Sequence, residues 1–207
     1  MELTGRVAAG SLVLACDAAL APLGRDVLRT LEQRDAQQPA LVAGSRVQFG
    51  WSVLTLVPDG DALRVFAPDY ARDPMRDLDR SLDVTLSVIL RQTSLLRELG
   101  ASGLDARFDS FVIMARDTGT GGIFLRRQTP TQADDSGWSM GNLDDPPSPD
   151  DTAAFDAVRV YTLLRLRPAV IPLLALPPEW FVAMRGERIE RIVDDAGHVR
   201  SGSTPRD

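Results

Sequence analysis

Residues 47–57 read VQFGWSVLTLV, 58–61 read PDGD and 63–67 read LRVFA. Apolar and polar positions alternate through the first stretch, which puts Val47, Phe49, Trp51 and Val53 on one face of a single strand. PDGD is turn chemistry, so 63–67 is expected to return as the partner strand of a hairpin. Upstream, Asp17 is placed to cap a helix reaching Arg34, with Leu20, Leu23, Val27, Leu28 and Leu31 at helical spacing. Residues 7–15 form a short apolar stretch that reads as a buried strand, with Cys16 as a small core thiol. Downstream, Asp73-Pro74 is an N-cap followed by proline in the first turn, and Gly100 is a C-terminal cap. These signals predict one long amphipathic helix over 73–100. Its apolar stripe is Leu78, Leu82, Leu86, Ile89, Leu96 and Leu99, and that stripe is expected to cover a sheet.

A second β section follows, with strands expected at 111–115, 123–127 and 136–141 and a glycine-rich turn at 117–122. Residues 152–167 read as a mostly buried helix stopped by Pro168. Segments 180–184 and 189–193 are expected to pair around Arg185-Gly186-Glu187. The fold class is therefore α+β, with antiparallel hairpins packed on one long amphipathic helix and further helices. One domain over 1–196 is the simplest organisation, with packed lobes at 1–103 and 104–196 as the alternative. From Gly197 the polar composition predicts a disordered tail.

The chain has 207 residues, 44% of them hydrophobic and 25% charged, which is enough apolar material for a real core. All 23 basic residues are arginine. A formal net charge of −6 argues against a phosphate-backbone binder, whose footprint is a basic face. One cysteine cannot form an internal disulfide, and cytoplasm is the default compartment. Val13-Leu14-Ala15-Cys16 is faintly like a lipoprotein cleavage site, but Gly10-Ser11 interrupts the apolar run and leucine stands where a smaller residue is usual. No stretch approaches the ~18 apolar residues of a membrane span.

Catalytic and metal-binding sets are not assembled by the sequence. His198, the single histidine, lies in the polar tail, far from Cys16, so zinc and Cys-His chemistry lack ligands. Asp117-Thr118-Gly119 matches the short signature of aspartic proteases, in which two aspartates share a proton. No second copy of that signature occurs, and Thr120-Gly121-Gly122 suits a hairpin turn equally well. No cofactor, metal or catalytic residue is expected, and a hydrolase centred on Asp117 is the weakest alternative.

The negative charge is local. Asp134, Asp135, Asp144, Asp145, Asp150, Asp151 and Asp156 fall within 131–157, which holds no basic residue, while the rest of the chain is almost charge-balanced. Such a segment reads either as a solvated loop, with Asp150 or Asp151 capping the next helix, or as a docking surface for a basic protein. Trp138 beside it is a residue type that dominates interface energetics, with core packing as its rival role.

Asp135-Ser136-Gly137-Trp138, then Met140-Gly141, then Asp144-Asp145 resembles the bacterial immunity proteins of the thirty-third immunity class and their longer relatives. In that family a strand hairpin leads to a Ser-Gly-Trp turn, an acidic loop, and a helix that closes in a proline-flanked apolar segment. Here Arg126-Arg127-Gln128 precedes Asp134, and the close is Arg167-Pro168-Ala169-Val170-Ile171-Pro172-Leu173-Leu174. The likeness covers 108–181. Ser139 departs from it, standing where the pattern has arginine and aromatic residues. The resemblance implies a cytoplasmic protein that neutralises a cognate toxin delivered by a contact-dependent or type VI-like route. Asp134, Asp135, Trp138, Asp144, Asp145 and Asp150 are then the expected toxin contacts, and a basic toxin the expected partner. The alternative is a chaperone or adaptor for a secreted effector.

Overall fold

The computed structural model describes residues 1–37, 41–118, 121–148 and 151–202. The chain divides into two compact units, Met1–Arg91 and Gln92–Asp207.

In the first unit, β1 (Glu2–Val7) and β2 (Gly10–Ala15) form a hairpin, and α1 (Ala21–Gln37) follows a 3₁₀ turn capped by Asp17, whose carboxylate accepts from the Ala19 N–H at 2.7 Å. Then come β3 (Arg46–Phe49), β4 (Ser52–Asp59), β5 (Ala62–Pro68) and the short β6 (Leu78–Asp79). The sheet order is β1-β2-β5-β4-β3, with β6 beside β5. Leu12, Leu14, Val27, Leu31, Leu54, Leu56, Val65 and Leu86 are fully buried in its core. Cys16 is buried there too, as expected of a core thiol.

Two expectations are corrected in this unit. Residues 47–57 are not one strand: Gly50, at φ +56°, breaks them into β3 and β4, which pair with each other. The break also ends the expected shared face: Val47 and Phe49 pair with Leu54 and Ser52, whereas Val53 pairs with Gln48 and so lies on the opposite face. The helix predicted from Asp73 begins ten residues later, as α2 (Asp83–Leu99). Asp73 does cap one turn, accepting from Met75 N–H at 3.0 Å, but Leu78 and Asp79 then pair with Pro68 and Ala67. Strand pairing outweighs the local cap, and Leu78 leaves the helical stripe to stand 43% exposed. Ser81, whose hydroxyl accepts from the Asp83 N–H, opens the helix instead. Gly100 ends it as expected, at φ +61°, with Ala101 N–H bonded to Leu96 O at 2.9 Å.

The second unit is built on β7 (Phe111–Ala115), β8 (Gly122–Arg127), β9 (Asp135–Asn142), β10 (Phe155–Arg159), β11 (Phe181–Arg185), β12 (Arg188–Val193) and β13 (Val199–Gly202). Their order is β10-β7-β9-β8-β11-β12-β13. A short helix, α3 (Val160–Leu166), and a 3₁₀ segment (Ile171–Ala175) lie between β10 and β11.

The helix expected over 152–167 is therefore interrupted: Phe155–Arg159 is a strand paired with β7, and the α-helix is only the seven residues Val160–Leu166. A short apolar run does not separate helix from strand by period alone, and an unpaired β7 edge decided it. The stretch from Gly197, which reads as disordered, includes β13, tied by Asp194 to the backbone of Ala196 and His198. Nor are the sheets purely antiparallel: β2 runs parallel to β5, and β7 to β9. Long connections let the chain re-enter beside an earlier strand in the same direction. Among the described residues no helix is long and apolar enough to cross a membrane.

Candidate partner-binding site

The acidic segment does not form one patch. Asp134 and Asp135 stand at the start of β9 and Asp144 and Asp145 just past its end, roughly 25 Å apart along an eight-residue strand. Asp135 is half-buried and structural, accepting from Gly137 N–H at 2.7 Å and Thr131 N–H at 3.2 Å. Asp144 pairs with Arg185 at 3.3 Å. That guanidinium, helped by the Gly122 N–H, holds the Asp144 carboxyl below its ordinary range. Asp145 is exposed. Asp151 caps a 3₁₀ turn through Ala153 N–H, and Asp156 pairs with Arg116 at 3.0 Å. Asp150 lies outside the described residues.

Trp138 is the clearest correction. It is 1% exposed, its indole N–H donates to Leu174 O at 3.0 Å, and it presents no surface to a partner. Its neighbour Gly137, at φ +76°, sits where β9 slips register against β7, so Ser-Gly-Trp is a bulge inside a strand rather than a turn. The bulge aims the indole inward. Beside it Arg127, 1% exposed, spreads its guanidinium over carbonyls of Leu104 at 2.6 Å, Ser136 at 3.2 Å, and Leu174 and Leu176 at 3.3 and 2.5 Å. Its carbon Cζ lies 5.6 Å from the Trp138 ring centroid. Burial pushes its pKa down to about 10, offset in part by the carboxylates of Asp105 and Asp135, so it stays charged at neutral pH. The residues that carry the resemblance, Arg127, Ser136 to Trp138 and the apolar segment at 171–174, thus meet in one buried polar knot.

That knot fills one side of the sheet, and the other side is open. Ile123, Leu125, Met140, Val182 and Met184 point toward the knot and are buried. By alternation and register, Phe124 and Arg126 of β8, Ser139 and Gly141 of β9, and Phe181 and Ala183 of β11 share the opposite face. Ile113, opposite Ser139, is 42% exposed on that face. The Phe124 and Phe181 rings lie near-parallel, with centroids 6.4 Å apart. Gly141 makes this possible, since a Cβ there would come within 2.7 Å of the Phe124 ring.

Over these rings runs a groove of about 510 Å³. Leu143, Pro146 and Val193 complete its apolar lining, and Arg126, Glu179 and Asp194 supply the polar part. Glu179 adopts φ +66°, unusual for a residue with a side chain, and its N–H bonds Arg127 O at 2.7 Å. The Asp194 carboxyl is held below its ordinary range, chiefly by the His198 N–H. Phe124 and Phe181 are absent from the sequence-based expectations. The signal that finds them is that GIFLRR and FVAMR place apolar residues on both faces of a strand.

Asp117 is exposed just after β7, and with Asp145, Arg116 and Asn142 it lines a smaller cleft of about 230 Å³. Thr118 accepts a hydrogen bond from Arg167 at 2.8 Å, and Gly119 lies outside the described residues. Among the described residues no three His, Cys, Asp or Glu side chains are grouped to hold a metal ion. Burial raises the pKa of the Cys16 thiol, as suits an inert core cysteine. His198 is exposed, 3.5 Å from the Asp194 carboxylate.

Fold and surface together define an α+β protein of two units, one of which has a sheet filled on one side and open on the other. A family model described as the Imm33-like domain matches residues 91–195, just over half of the chain and nearly all of the second unit. The chain belongs to the Imm33-like family, an immunity-protein family, as the resemblance implies. No curated protein and no solved structure matches it.

Proposed function

We propose that this protein is an immunity protein: it binds a cognate secreted bacterial toxin in the cytoplasm of the producer and its kin, and neutralises it by covering the toxin's active or substrate site. The observation that carries this reading is the coincidence of the Imm33-like match with the second unit. Such work needs a preorganised surface rather than a catalytic set, and the open sheet face is rigid, since it is the reverse of a hydrogen-bonded, close-packed core. Delivery of the toxin through a contact-dependent or type VI-like route fits the same reading.

The test is co-expression with the toxin encoded beside its gene. Host cells making the toxin should die without this protein and grow with it, and the two should co-purify. A toxin that stays fully active and unbound with this protein in excess ends the reading. A chaperone for an effector would bind without protecting, so the growth assay separates the two.

A further inference from the structure

We infer that the groove over Phe124 and Phe181 is the toxin-docking surface, and that it seats an apolar side chain of the toxin flanked on both sides by arginine or lysine. This rests on the toxin-neutralising reading and gives it a surface and a partner chemistry. The middle of the groove is apolar and flat, because Gly141 lets the Phe124 ring lie over β9 beside the parallel Phe181 ring. Both ends carry carboxylates. Leu143 and Pro146, which wall one end, adjoin Asp144 and Asp145 in the chain, whereas Glu179 and Asp194 line the other. Arg126 is the one cation among the described lining residues.

Asp144 is paired with Arg185 at 3.3 Å and the buried Asp194 with Arg200 at 3.5 Å, so the charge offered to a partner is that of the exposed Asp145 beside one end and of Glu179 at the other. An apolar floor between these two carboxylates is complementary to an apolar anchor between cations. An anionic partner, nucleic acid included, would bring like charges together at both ends. The volume of about 510 Å³ suits a large side chain with its neighbours. Glu179 strengthens the assignment: its left-handed backbone is held by the bond to Arg127 O, which fixes the position of its Cα at the rim before any partner arrives.

Two probes test this. Amide shifts of the ¹⁵N-labelled full chain are followed while a Gly-Arg-Trp-Arg-Gly peptide, or its Gly-Glu-Trp-Glu-Gly counterpart, is added. The cationic peptide should move the Phe124, Leu143 and Phe181 amides and the anionic one should not. Equal effects, or shifts located elsewhere, overturn the inference. With the cognate toxin, Phe181→Asp and the surface change Asp145→Arg should each weaken binding at least tenfold, with thermal melts confirming the fold. Asp26→Arg, a like charge change on α1, should leave binding intact. Groove variants that bind and protect as well as the parent overturn the docking surface while leaving the immunity reading in place. A parent protein that fails to protect overturns the immunity reading, and the peptide shifts then decide the chemistry of the groove by themselves.

Discussion

A Cβ at position 137 would stand 2.1 Å from the Gln128 carbonyl oxygen, at a backbone φ of +76°. Both the clash, which is with backbone, and the dihedral oppose any side chain there. Gly137→Ala should therefore lower stability by about 3 kcal/mol or more, read from urea unfolding. Arg127 is the complementary case, a buried cation satisfied by carbonyls rather than by a carboxylate. Arg127→Lys keeps the charge but cannot span four carbonyl groups with one ammonium, so it should destabilise by about 2 kcal/mol in the same measurement. Gly141→Ala meets only the edge of the Phe124 ring, a side chain able to shift. It should cost little stability and yet reduce toxin affinity, because the displaced ring no longer makes a flat floor. Equal losses in stability and affinity would refute that separation.

At the scale of elements, β9 explains why the acidic residues could not act together. A strand lies between Asp135 and Asp144, and the bulge at Gly137 turns Trp138 into the core, the rival of its expected interface role. In the connection between β12 and β13 the Asp194 carboxylate accepts from Ala196 N–H at 3.0 Å and His198 N–H at 2.8 Å, beside backbone bonds between Asp194 and His198 and between Gly197 and Asp194. Asp194→Ala should speed hydrogen exchange of the β13 amides selectively, leaving β7 to β9 protected. Uniform deprotection would show instead that β13 belongs to the global unfolding unit. The reading of this region as tail was reasonable from composition, because neither Gly197 nor His198 signals that a carboxylate four residues earlier will organise them.

For the whole molecule, pH dependence follows from carboxylates with lowered pKa. Asp59 is held down by its bond to Arg64, Asp144 by Arg185, and Asp194 by the His198 N–H. A carboxylate that is a stronger acid in the fold than in the unfolded chain stabilises the fold while both forms are ionised. That contribution is complete above the ordinary value of 3.8 and is lost as pH falls through the lower folded values. The melting temperature should thus be flat from neutrality to about pH 5 and drop below pH 4, less steeply in high salt because Asp59 and Asp144, though not the buried Asp194, lie near solvent. The sequence by itself determined the α1 stripe, the β4–β5 and β11–β12 hairpins, the helix stop at Gly100, the core role of Cys16 and the family likeness, all of which rest on local period, turn chemistry or short motifs. Only the tertiary structure decided that Asp73 caps a single turn, that Phe155–Arg159 is a strand, that Trp138 is core and that Phe124 and Phe181 share an open face. Each of these depends on which strand lies alongside or which face is covered, and such pairing is made by residues distant in the chain, beyond the reach of any local pattern.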